Sequence, residues 1–85
     1  MGSIGPVPPR AQPHPALRKL GKRVRQLREA KHWTQEYFAG ECGLDRSFVS
    51  FIESGRQNPT YLTLLRMAKI LEMSLPTLVD LDRTR

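Results

Sequence analysis

Cysteine is nearly absent: Cys42 is the sole one in 85 residues, so no disulfide can form within the chain. Histidine is as scarce, and His14 and His32 beside one thiol do not make a ligand set for a structural zinc, so no metal is expected. Long apolar runs are missing too. None approaches the roughly 18 residues of a membrane span, and Met1–Pro15 lacks the apolar block of a secretory signal, which leaves a cytoplasmic location as the expectation. No nucleophile stands with a base, no spaced carboxylate pair outlines a pocket, and Gly40 and Gly43 do not form a phosphate-cradling loop. An enzyme and a bound cofactor are therefore not expected.

Acids are few beside bases, and unevenly so. The formal charge is +6; residues 1–31 hold eight Lys or Arg against one acid, Glu29, whereas residues 32–57 hold two against four. The positive field sits mainly on the first helix predicted below. It favours a polyanion, whether DNA, RNA or an anionic membrane, without choosing among them.

Five of the seven prolines and two of the six glycines fall in residues 1–15, MGSIGPVPPRAQPHP, a composition that predicts a flexible tail rather than a helix. With Arg10 as its one cation it reads as a linker, the alternative being an arm that wraps DNA. A folded domain is expected over 16–82, with a short C-terminal end at 83–85. About seventy residues make a marginal core, so a partner subunit would add stability, and a dimer is a reasonable expectation on size alone.

The remaining pattern is helical. Leu17, Leu20, Val24 and Leu27 share one stripe and predict a first helix from Ala16 to about Lys31, with Arg18, Lys19, Lys22, Arg23 and Arg25 on its other faces. Arg28 lies on the edge of that stripe and asks for a carboxylate partner. Thr34 caps a second helix, Gln35 to about Glu41, without a capping box because Tyr37 stands where Glu or Gln would be. This helix turns Phe38, Ala39 and Cys42 inward, and Gly43 supplies the positive φ of a sharp turn. Asp45 then caps a third helix that Gly55 ends. Its inner side carries Val49 and Ile52, with Glu53 beside them as the expected partner of Arg28.

Asn58-Pro59-Thr60 stops one segment and caps the next. The fourth helix has a stripe of Leu64, Met67, Ala68 and Leu71, widened by Leu65 and Ile70, and Ser74 caps a fifth with Pro76 in its first turn. No strand pattern appears. The fold class is all-α, a compact five-helix bundle.

Thr34 to Gly55, TQEYFAGECGLDRSFVSFIESG, thus carries two short helices joined by a tight glycine turn and reads as a DNA-binding helix-turn-helix. The outer face of its second helix bears Arg46, Ser47, Ser50 and Phe51. Arg46 is the candidate for direct readout, because a guanidinium can donate two parallel bonds to guanine O6 and N7; a phosphate contact is the alternative. Ser47 and Ser50 are less selective helpers, and Phe51 either touches a thymine methyl or shields the interface. Lys22 and Arg23 can reach the flanking DNA backbone, although such a charged face is also commonly just solvated. Trp33 offers either a core residue or a ring for base stacking, and Cys42 reads as a small hydrophobe rather than a redox sensor.

Gly21, Val24, Arg28, Thr34, Gln35, Ala39, Gly43, Leu44, Val49, Ser50, Ile52, Glu53, Gly55, Pro59 and Leu64 stand in the order and spacing of the Cro and lambda-repressor (XRE-type) helix-turn-helix family, which the chain resembles from about Leu17 to Leu81. The resemblance implies a five-helix DNA-binding fold in which Ala39 is small where the two helices cross. It implies that Gln35, beside Thr34, contacts a phosphate and braces a recognition residue, and that Arg28 and Glu53 form an ion pair. Arg56, Gln57, Asn58, Thr60 and Tyr61 are similar to the family's backbone clamp, in which a loop and a helix N-terminus present N–H donors to phosphate. Phe51 departs from the pattern, being bulky at a position often polar. Within the family, the LDRS segment and the length look like the controller proteins of restriction-modification systems.

The sequence therefore predicts a sequence-specific regulator of transcription that binds double-stranded DNA as a symmetric homodimer on a roughly palindromic operator. Half-sites are expected about 34–36 Å apart or a multiple of that. Leu75, Leu78, Val79 and Leu81 of the last helix are the expected dimer contact, unless they are core. One rival is a protein-interaction module, an antitoxin or polymerase-binding domain whose DNA binding is secondary. The other is non-specific nucleic-acid or membrane binding through the basic first helix.

Overall fold

The computed structural model describes residues 14–81 and holds, among them, five α-helices and no strand. The tail expected over 1–15 lies, up to residue 13, outside the described residues, as do residues 82–85.

Helix α1 spans Pro15–Ala30 and so opens one residue before the expected Ala16. Proline suits this first position, since the N–H it lacks would have no intrahelical partner. His14 is the cap: its Nδ1 accepts the Ala16 N–H at 3.1 Å. Helix α2 spans Gln35–Cys42, and the Thr34 hydroxyl oxygen accepts the Tyr37 N–H at 3.0 Å, a cap without a box.

Helix α3 spans Arg46–Glu53. Asp45 takes the extended cap conformation there, but its side chain makes no capping bond. Helix α4 spans Tyr61–Ile70, with the Thr60 hydroxyl accepting the Thr63 N–H at 3.1 Å. Helix α5 is only four residues, Leu75–Leu78, capped by Ser74, so Leu81 lies beyond its end rather than on its apolar face.

Every helix contributes to one core. Val24 of α1, Phe38 and Cys42 of α2, Val49 and Ile52 of α3, Met67 of α4 and Leu78 of α5 are fully buried. Trp33 is half-buried at the α1–α2 corner, its ring stacked on Phe38 with centroids 6.0 Å apart. Leu65 corrects the sequence reading: rather than widening the buried stripe of α4 it is 38 % exposed. No helix among the described residues is long and apolar enough to cross a membrane.

The first four helices end in the same crossed pair of backbone bonds, closed by a residue at positive φ. Gly43 (φ 68°) and Gly55 (φ 78°) close α2 and α3, as their lack of a side chain permits. His32 and Glu72, both at φ 61°, close α1 and α4 despite carrying a Cβ.

Candidate nucleic-acid interface

The α2–α3 turn is fixed by two bonds, from Leu44 N–H to the Ala39 carbonyl at 2.8 Å and from Gly43 N–H to the Gly40 carbonyl at 3.2 Å. Ala39 is 2 % exposed, a small side chain wholly within the core at the position where the resemblance implies close crossing. A third constraint comes from α1. A Cβ at Gly21 would run into the carbonyls of Ile52 and Glu53, so only glycine lets α1 approach the last turn of α3.

Arg28 and Glu53 form the expected ion pair, with Nε to Oε2 at 2.7 Å and Nη2 to Oε1 at 3.0 Å. Both side chains are nearly sealed from solvent, at 9 % and 3 % exposure. The hydrogen bond to Glu53 raises the Arg28 pKa above its usual value, outweighing burial, which acts the other way. Two further partners complete the network. Arg28 Nη1 donates to the Trp33 carbonyl at 2.6 Å, and Gln35 Nε2 donates to Glu53 Oε1 at 3.0 Å. Gln35 therefore faces inward to Glu53 rather than standing free at the helix start. It ties α2 to the same carboxylate that ties α1 to α3.

With its inner side so held, α3 turns the expected residues outward. Arg46 and Ser47 are exposed, and Ser50 and Phe51 are half-exposed. Past Gly55, Arg56 and Asn58 are exposed, Gln57 is half-buried, and Pro59 is buried, anchoring the loop before the capped start of α4 at Thr60 and Tyr61. Tyr61 is 65 % exposed.

The cations fall into two groups. Arg25 pairs with Glu29, Lys31 with Glu72 and Arg28 with Glu53, while Arg66 donates to the Cys42 carbonyl. Arg23, expected at the DNA backbone beside Lys22, instead donates to the Leu78 carbonyl at 3.2 Å and the Thr77 carbonyl at 2.9 Å, holding the C-terminal end of α5. Those left without a partner among the described residues are Arg18, Lys19, Lys22, Arg46, Arg56 and Lys69. Arg46, Arg56 and Lys22 of the expected DNA set thus keep an uncommitted charge.

The expected dimer residues divide. Leu78 is fully buried in its own protomer and belongs to the core, which corrects its assignment to a contact surface. Val79 is 38 % exposed, and Leu75 and Leu81 are half-buried. Leu62 of α4, 70 % exposed, was not assigned by sequence; the available signal was an apolar residue on the face opposite the Leu64, Met67, Ala68 and Leu71 stripe.

The helix-turn-helix family HTH_3 matches residues 24–78, an interval that begins in α1 and ends with α5. An uncharacterized HTH-type transcriptional regulator, y4dJ of Sinorhizobium fredii, is 39 % identical over 59 residues, covering 68 % of this chain and 77 % of its own length. The restriction-modification controller protein C.AhdI of Aeromonas hydrophila is similar in structure, with a TM-score of 0.74 and 38 % identity over 76 % of this chain and 98 % of that one. The biofilm master regulator SinR, in its complex with DNA, superposes with a TM-score of 0.68 and 32 % identity over 72 % of this chain and 98 % of its own.

Proposed function

The chain belongs to the helix-turn-helix family HTH_3, and from that premise we propose that it is a sequence-specific regulator of transcription that binds double-stranded DNA as a homodimer. The observation that carries this reading is the outer face of α3. A helix clamped from behind by Gly21, Ala39 and the Arg28, Glu53 and Gln35 network presents Arg46 and Ser47 to solvent with no internal partner for the guanidinium. Such a face suits the major groove, where Arg46 would read guanine and Ser47 and Ser50 would assist. Thr34, Arg56, Gln57, Asn58, Thr60, Tyr61 and Lys22 would meet the flanking phosphates. Gln35 would act mainly by holding Glu53.

The dimer surface is best sought on α4 and α5. Leu62, Leu65 and Val79 are the large aliphatic side chains left exposed among the described residues. With Leu75 and Leu81 they supply the apolar contact for which Leu78 is unavailable. The likeness to C.AhdI supports a narrower reading as a restriction-modification controller, working inside the cell.

Selection from a randomised duplex pool at near-physiological salt tests the proposal. Enrichment of a roughly palindromic site, its halves spaced by about one helical turn or a multiple, is the expected result. A pool that stays random while the chain recovers one stoichiometric protein from extract would replace this reading with a partner-binding module.

A further inference from the structure

We propose that Arg18, on the first turns of α1, is a second guanidinium that binds the DNA backbone, at a phosphate next to the one held by Arg56; this rests on the DNA-binding reading above. The two residues are far apart in sequence, and their proximity follows from backbone contacts. The His14 N–H donates to the Gly55 carbonyl at 3.2 Å. A Cβ on Gly55 would come within 2.8 Å of Arg18 Cγ and 2.9 Å of its Cα. The start of α1 is therefore pressed against the bend that ends α3, and Arg18 adjoins the residue immediately before Arg56.

Rotation of α1 about its axis is fixed by Gly21, whose open side meets the Ile52 and Glu53 carbonyls. At about 100° per residue, Arg18 and Lys22 then lie on the flank adjoining α3, while Arg23 lies on the other flank, where it meets α5. This explains why neighbouring bases on one helix have different fates. Arg23 is consumed by carbonyls; Arg18 is not.

Among the described residues nothing acidic offsets the pair. Glu53 is occupied by Arg28 and Gln35 and is 3 % exposed. The Ser54 hydroxyl donates to the Phe51 carbonyl. Asp45 stands at the opposite end of α3, roughly 12 Å away at the rise of a helix. Arg18 and Arg56 are both exposed and without partners among the described residues, two uncommitted guanidiniums borne by segments that meet at Gly55, which neighbouring phosphates of one strand can neutralise. A phosphodiester fits the planar donor fork of a guanidinium.

The test uses the full chain: wild type, Arg18→Ala, Arg56→Ala and the double variant, titrated onto a selected operator duplex and a scrambled duplex from about 50 to about 200 mM salt. Arg18→Ala is expected to lower the slope of log affinity against log salt by about 1 per bound protomer on both duplexes, weakening both by the same factor, and the double variant by about 2 per protomer. Lys69→Ala removes the same charge from the far part of α4 and should leave the slope unchanged. Arg18→Gln, which keeps the Cγ packing on Gly55, serves if Arg18→Ala melts early, and Arg18→Lys should restore most of the slope. An unchanged slope in Arg18→Ala or Arg18→Gln, or an equal loss in Lys69→Ala, overturns the inference. Wild-type affinities that are equal on the two duplexes overturn the regulator reading alone, because the slope still decides the role of Arg18; no binding to either overturns both.

Discussion

Gly21 and Ile52 meet with no room for a side chain between them: a Cβ at residue 21 would overlap the Ile52 carbonyl and approach the Glu53 carbonyl oxygen to 2.6 Å. The obstacle is backbone on an element pinned by its own helical bonds, so it cannot swing aside as a side chain would. Gly21→Ala should destabilise the domain by about 1–3 kcal/mol, the range of overpacked cores. For a domain of this size that corresponds to a fall in melting temperature of roughly 4–24 °C. A wild-type melt in this variant would mean that α1 and α3 are not so closely apposed.

The buried pair beside that contact makes a second prediction with an internal order. Glu53→Ala leaves Arg28 charged and buried, and breaking such a pair typically costs about 3–5 kcal/mol, enough to unfold a small domain. Gln35→Ala removes one neutral donor from the same carboxylate and should cost about 1 kcal/mol. Thermal melts of the two variants should rank in that order. Equal melting temperatures would show that Glu53 is not the hub of the network.

Much of this arrangement was legible in the sequence because its signals are local. Thr34, Thr60 and Ser74 announce helix starts by their own chemistry, and Gly43 and Gly55 announce ends by the positive φ that each adopts. Arg28 on the edge of an apolar stripe implied a carboxylate, and Glu53 met it. Long-range relationships were not legible. Nothing in the spacing of α1 distinguishes Arg23, which reaches the carbonyls of α5, from Arg18, which borders Gly55, because the difference lies in which element packs on each flank. Leu78 and Val79 are likewise neighbours of similar hydropathy, and only the seating of a four-residue helix makes one core and the other surface. Asp45 shows the opposite error, a good capping residue that makes no capping bond.

His32 closes α1 in the left-handed region at φ 61°, a conformation that costs a residue with a Cβ about 1–2 kcal/mol and glycine little. Its side chain is exposed and makes no bond among the described residues that would offset this. His32→Gly should therefore raise stability, by about 0.5–1 kcal/mol after the greater freedom of glycine in the unfolded chain is subtracted. Gly43→Ala should do the reverse. Denaturant midpoints that fall in both variants would contradict the account of how these helices end.

Cys42 gives a pH dependence. Burial raises its thiol pKa from 9.0 to about 11, partly opposed by the positive charge of Arg66. Since the folded value lies above the unfolded one, the folded state holds the proton more tightly between them. The resulting stability is fully present below about pH 9 and is lost as pH rises towards about 11. Denaturation at stepped pH should show this decline, and Cys42→Ala should flatten the part owed to the thiol at the cost of a small cavity. Rapid alkylation of the native chain at neutral pH would contradict the burial of the thiol.

Whether α3 reads bases through Arg46 is decided by the base-preference profile of Arg46→Ala against wild type. On an operator recovered by selection, every single-base variant is titrated with both proteins at one salt concentration. Arg46→Ala is expected to lose discrimination at one base pair in each half-site, worth about 1–3 kcal/mol, and to keep the wild-type preference elsewhere. A profile unchanged in shape and merely weaker at every position would make Arg46 a phosphate contact and not a reader of bases.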